Sequence, residues 1–198
     1  MSQKNRLFIL GASDPEMVEI EAALTAAGQR FVYALTGMGE SVRVHPGNAY
    51  KFAGLSGEFT DEDTVVLVEC EPEATHKAIL EATREVIRVD HHRPGDPGYG
   101  QPPEKFFEAA SLGQIRALLA RITGVGFHEA EENSHHALVA AADHCLEAAY
   151  RGKCPGVDPD RLMRWRVETR AGFQKRTVEA VLADVEAARK RLREAAMC

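Results

Sequence analysis

At 198 residues, with 44% hydrophobic and 27% charged residues, the chain has the composition of a globular protein with ample material for a core. A formal net charge of -6 argues against a general binder of duplex nucleic acid. No apolar run approaches the roughly 20 residues of a membrane span and Met1 to Arg6 lacks the pattern of a signal peptide, so a cytoplasmic chain with no membrane partner is expected.

Residues 6–11 are a short apolar run ended by glycine, which predicts a buried strand. Ser13 can cap the helix that follows, Pro15 suits its first turn and Glu16 completes a capping box. Met17, Ile20, Leu24 and Ala27 form its apolar stripe and Gly28 ends it. Residues 31–35 predict a second strand. Residues 36–63 are glycine-rich and irregular, with a short helix expected around 48–53; connections of this length are often functional or mobile. Residues 64–70 are β-branched and continuous, the pattern of a strand buried on both faces. A helix over 74–83 and a strand over 85–89 follow.

From Glu104 onward the pattern is helical, over 104–121, 129–150, 158–166 and 169–195. In the last of these Val178, Val181, Leu182, Val185 and Leu192 share one stripe. Strands alternating with helices imply an α/β fold with a mostly parallel sheet of four or five strands flanked by helices, and a helical C-terminal half. The turn composition of residues 154–159 suggests a division into an α/β domain over 1–152 and a helical extension over 153–198.

The strand over 85–89 delivers Asp90-His91-His92 and opens a loop of glycines and prolines through Pro103. In open α/β sheets the C-terminal ends of the strands build the site. The first strand delivers Asp14 and Glu16 to the same edge, and the strand over 64–70 delivers Glu69, with Glu71 just beyond. Carboxylates and imidazoles gathered this way suit a divalent ion such as Mn²⁺ or Mg²⁺. Such an ion neutralises a phosphoryl oxygen and lowers the pKa of a bound water. The structural alternatives are an N-cap role for Asp14 and a buried ion pair for Glu69.

These residues resemble the DHH phosphoesterase superfamily, which includes family II inorganic pyrophosphatases, single-strand exonucleases, oligoribonucleases and cyclic-dinucleotide phosphodiesterases. The likeness rests on Asp90-His91-His92, on the proline-bearing loop, and on the segment Glu108-Ala-Ala-Ser-Leu-Gly-Gln-Ile-Arg-Ala-Leu-Leu119 after it. Ser13-Asp-Pro-Glu16 stands in the place of the first motif, Val68-Glu69 in that of the second and Ala142-Asp143 in that of the fourth. The resemblance implies that Asp14, Glu16, Glu69, His91 and Asp143 ligate metal and that His92 contacts the substrate phosphate. It further implies that Asp90 fixes an imidazole and that Arg93 helps to bind phosphate.

The chain departs from the family in places. Leu10 stands where family II pyrophosphatases have a histidine, glutamate replaces aspartate at 16 and 69, and helices are expected in place of the usual second domain. Two functions follow. One is a metal-dependent phosphohydrolase acting on a short nucleotide or small phosphorylated metabolite. The other is a catalytically degenerate domain that binds a nucleotide or protein partner without turnover.

Further constellations surround this core. His128-Glu-Ala-Glu-Glu-Asn-Ser-His-His136 is rich in histidine and acid, and His136, Ala140, Asp143 and Glu147 fall at helical spacing. Between Arg151 and Arg176 there are eight basic residues and three acids, a local +5 on an acidic protein. Trp165, flanked by Arg164 and Arg166, suits either the core or stacking on a base. Thr36-Gly-Met-Gly-Glu40 resembles a phosphate-cradling loop only faintly. Cys70, Cys145, Cys154 and Cys198 form no CxxC pair, so reduced, mostly buried thiols are expected. The partners implied are a small phosphorylated substrate or short oligonucleotide and, through the C-terminal helices, a second copy of the chain.

Overall fold

The computed structural model describes residues 5–37, 42–58, 64–125 and 131–196. Its strands are β1 (Arg6–Leu10), β2 (Phe31–Leu35), β3 (Gly54–Leu55), β4 (Thr64–Val68) and β5 (Glu85–Val89). Its helices are α1 (Pro15–Ala26), α2 (Ala74–Thr83), α3 (Phe106–Ala109), α4 (Ser111–Thr123), α5 (His135–His144), α6 (Leu146–Tyr150), α7 (Pro159–Gln174) and α8 (Val178–Ala196). The strands form one sheet in the order β3-β2-β1-β4-β5. β1 pairs in parallel with β2 and β4, and β4 with β5; β3 is a short antiparallel edge. The fold is therefore α/β, with a five-stranded, mostly parallel sheet and a helical C-terminal half.

The sheet is covered on both faces, which is why β1 and β4 carry no polar alternation. Phe8, Leu10, Val66 and Val68 pack on one side against Met17, Ile20 and Leu24 of α1 and Leu112, Ile115 and Leu119 of α4. Leu7, Ile9, Val65 and Leu67 face the other side with Val44, Phe52 and, from α2, Leu80. The β1-α1-β2 unit runs one way along the sheet and β4-α2-β5 the other, so the order reverses between β1 and β4. A crevice opens beyond the carboxyl ends of those two strands. The backbones are very close there. Gly11 N–H donates to the Val68 carbonyl at 2.9 Å, and a Cβ on Gly11 would lie 2.3 Å from the Glu69 carbonyl oxygen. Glycine is required at this point.

Several local expectations are corrected. Asp14, not Ser13, caps α1: its backbone is extended and its Oδ1 accepts from Met17 N–H at 2.7 Å. No capping box forms, because Glu16 turns inward. The helix expected over 104–121 breaks at Ala110, which is extended (φ -60°, ψ 146°). The helix expected over 129–150 begins after its Ser134 cap and breaks again at Cys145 (φ -149°, ψ 47°). The helix expected around 48–53 is a single 3-10 turn, Ala49–Lys51. Helix α7 continues through residues 167–168 and stops only where Lys175 turns left-handed. Residues 38–40 of the glycine-bearing loop and residues 128–130 of the histidine-rich segment lie outside the described residues.

α7 belongs to the body: Leu162 is wholly buried beside Phe106, Phe107 and Leu138, and Trp165 packs against two clusters of the core. α8 touches the rest through Val181, buried on Val167 and Ala171, while Leu182 and Leu192 are exposed. Among the described residues no helix is long and apolar enough to cross a membrane.

This division predicts unequal truncations. A chain stopped after Lys175 should unfold cooperatively in urea with a loss of about 2 kcal/mol, the burial of one valine and part of another. A chain stopped after Gly156 loses Leu162 and Trp165 and should show no cooperative transition. Equal behaviour of the two would overturn this account.

Candidate metal centre

The crevice at the switch point gathers side chains from β4, β5 and α5. Ligand atoms of Glu69, His91, His92 and Asp143 all lie within 4.8 Å of one another. His91 Nε2 and Asp143 Oδ2 stand 2.9 Å apart but without the alignment of a hydrogen bond, and His92 Nε2 is 3.8 Å from the same oxygen. Glu69 Oε1, His91 Nε2 and Asp143 Oδ2 are buried and have no hydrogen-bond partner, as is Glu16 Oε2 beside them. Buried polar atoms are seldom left unpaired. Besides the His91–Asp143 ion pair, atoms converging on one space could hold a cation, and a mixed carboxylate and imidazole set fits Mn²⁺ or Mg²⁺.

The two imidazoles are held from behind. Ser111, at the start of α4, places its Oγ 3.4 Å from His91 Nδ1 and leaves Nε2 facing the crevice. The break at Ala110 is what allows α4 to begin here. His92 stacks on His91 with ring centroids 4.3 Å apart, and its Nδ1 meets Asp90 Oδ1 at 3.0 Å. Asp90 Oδ1 also accepts from the N–H groups of His91 and His92, while Oδ2 accepts from the Tyr50 hydroxyl at 2.9 Å. The loop packs tightly on this ring: a Cβ on Gly98 would lie 2.7 Å from His91 Cβ and 2.0 Å from the Ala109 carbonyl oxygen. Glu69 has the left-handed φ of 50°, unusual for a non-glycine residue and of the kind that clusters at functional sites.

The electrostatics reflect carboxylates crowded out of water. Burial, then the neighbouring charges of Asp143 and Asp14, push Glu69 up to about 7. Burial, then Glu69 and Asp143, push Glu16 well above the usual carboxylate range. Asp143 is lowered, because His91 and His92 outweigh its burial. The bond to Asp90 raises His92 to about 9 against its burial. Burial also opposes ionisation of Asp90, but hydrogen bonds from His92 and Tyr50 prevail and lower its pKa.

The residues expected from sequence are therefore distributed unevenly. Glu69, His91 and Asp143 come together, and His92 joins them as a fourth ligand-capable group. Asp90 stands behind the imidazoles. Glu16 adjoins the group but spends Oε1 on the Leu112 N–H at 2.9 Å, and Asp14 caps α1 at the rim. Arg93 lies with its guanidinium 3.5 Å over the Tyr50 ring and Nη2 3.4 Å from Glu71, so it braces Tyr50. Glu71 in turn binds Lys77 and Arg88, and these bonds outweigh its burial to hold it at about 2.

The face expected to join His136, Asp143 and Glu147 does not form. His135 and His136 pair with Glu19, and Glu147 pairs with Arg151 in solvent. Sequence reasoning placed the segment ending in Tyr50 over the site, Ser111 in the matched segment and His144 beside Asp143, but gave none of the three a role of its own; the ring edge of His144 meets His91 at 5.1 Å. Ser111 lay in the matched Ala-Ala-Ser segment; Tyr50 had only its place in a long connection. An apolar cavity of about 510 Å³, lined by Phe52, Leu55, Pro72 and Leu80, holds none of the four clustered groups. No family model, curated protein or solved structure matches the chain.

In the metal-free protein the raised Glu69 has a signature. Folded Glu69 keeps its proton to about 7, whereas the unfolded chain releases it near 4.5. Stability should therefore fall as pH rises through that window, by on the order of 3 kcal/mol. Glu69→Gln should flatten the slope and raise the urea midpoint of the chelated protein at about pH 8. A slope unchanged in Glu69→Gln would refute the assignment.

Proposed function

We propose that the protein is a metal-dependent phosphohydrolase acting on a short nucleotide or small phosphorylated metabolite. The observation that carries this is the convergence of Glu69, His91, His92 and Asp143 at the switch point, three of them with buried, unpartnered atoms. A divalent ion bound there would supply Lewis acidity and a bound water of lowered pKa. Glu69, His91 and Asp143 offer the buried donors for it.

His92 is the most exposed of the four, with 43% of its side chain open, and is assigned to the substrate phosphoryl group. Asp90 keeps that ring oriented and favours its charged form, and Tyr50 keeps Asp90 ionised. Arg93 acts through Tyr50 as a positioning residue. A cleft of about 740 Å³ runs from Ser13 and Asp14 to Trp165, Arg166 and Arg170; it holds none of the four clustered groups and meets their crevice only at Asp14. That is room for a ligand of nucleotide size, with cations along one wall.

One observation favours binding without turnover: Glu16 is tied to the start of α4 by one of its oxygens, which leaves the ligand set smaller than the resemblance implies. The two functions separate in one set of measurements. Wild type with Mn²⁺ should hydrolyse bis(p-nitrophenyl) phosphate. His91→Ala should abolish turnover, and Tyr50→Phe should lower kcat by ~10-fold while the fold persists, as loss of a supporting hydrogen bond does. Calorimetric Mn²⁺ binding without turnover would select the binding role, and no Mn²⁺ binding would end the phosphohydrolase.

A further inference from the structure

Cys145 and Cys154 are nine residues apart in sequence, yet their sulfur atoms lie 3.1 Å from each other. The backbone brings them together. Cys145 occupies the break between α5 and α6, and the turn after α6 contains Gly152, whose φ of 68° reverses the chain. Gly152 N–H donates to the Ala149 carbonyl and Lys153 N–H to the Ala148 carbonyl, both at 3.0 Å, which returns Cys154 to the start of the turn. Cys154 belongs to the core cluster of Phe106, Phe107, Ala141 and Leu162, and Cys145 packs against it. Cys154 is buried and Cys145 partly open. Cys70 differs: its Sγ faces the Ile9 carbonyl at 3.4 Å beneath the sheet. Among the described residues neither sulfur of the pair joins a group of three or more metal-ligating side chains.

We propose that Cys145 and Cys154 form a modification site, a dithiol that a peroxide converts to an intramolecular disulfide. The more open Cys145 sulfur attacks one peroxide oxygen, the O–O bond breaks, and one water leaves as the sulfur becomes a sulfenic acid. The Cys154 sulfur then attacks the sulfenic sulfur, the S–O bond breaks, and the second water leaves. Two thiol protons end on the two oxygens, and two electrons pass from the sulfurs to the peroxide. The sulfurs need to approach by only ~1 Å to reach disulfide length.

The bond would close a ten-residue loop, from residue 145 to residue 154. It would fasten the end of α5, two residues beyond Asp143, to the turn that enters α7. The C-terminal helices would then be tied covalently to the helix that carries one of the clustered carboxylates. The inference stands on the two sulfurs and their backbone, apart from any metal chemistry.

The test uses the full chain carrying Cys198→Ser, treated with hydrogen peroxide and compared with its reduced form. The protein should lose ~2 Da, and Tm should rise by about 5 °C, reversed by dithiothreitol. A non-reducing tryptic digest should link the peptide of residues 122–151 to that of residues 154–161. Cys154→Ser should lose the link and accumulate oxygen on Cys145. Two intact thiols after treatment, oxygen added without a link, or linkage between molecules would each overturn the proposal. The digest alone decides it if Cys154→Ser does not fold, and none of these readouts depends on phosphohydrolase activity.

Discussion

Carboxylates taken out of water next to one another repel strongly, and something must neutralise them. In this protein Glu16, Glu69 and Asp143 crowd one crevice with Asp14 at its rim. Protons meet part of the demand, since Glu16 and Glu69 are pushed toward their neutral forms. The imidazoles of His91 and His92 meet another part by lowering Asp143. His91 Nε2 and Asp143 Oδ2 meet at 2.9 Å, and Glu69 lies within 4.8 Å of both. A divalent cation answers all of these features at once.

Three departures from regular structure make that crevice. Gly11 lets β1 and β4 approach so closely that Glu69 turns into it. The break at Ala110 starts α4 afresh, so that Ser111 can support His91 and the Leu112 N–H can bind Glu16. The break at Cys145 ends α5 at His144, leaving Asp143 in the last turn against the imidazoles. Regular helices over these segments would have carried the same residues past the site.

Much of this was legible in the sequence. The continuous apolar runs of β1, β2 and β4 and the alternation with helices specify the parallel sheet, and that sheet brings the ends of β4 and β5 together whatever the loops do. Asp90, His91, His92 and Glu69 follow from it directly. What stayed hidden depends on contacts between distant segments. Asp14 outcompetes Ser13 as a cap because Glu16 is drawn inward by Leu112, a residue 96 positions away. Tyr50 reaches Asp90 from an irregular connection with no periodic pattern to place it. The helix breaks at Ala110 and Cys145 have no proline or glycine to announce them; tertiary packing overrides local propensity there.

The left-handed backbone at Glu69 has a consequence for how this sequence can drift. Glycine adopts that conformation without strain, and it would also remove a carboxylate whose charge burial and neighbours oppose. On thermal stability alone, position 69 should therefore evolve toward glycine. A library of this chain sorted for heat resistance should lose Glu69 early, and with it one of the four clustered groups.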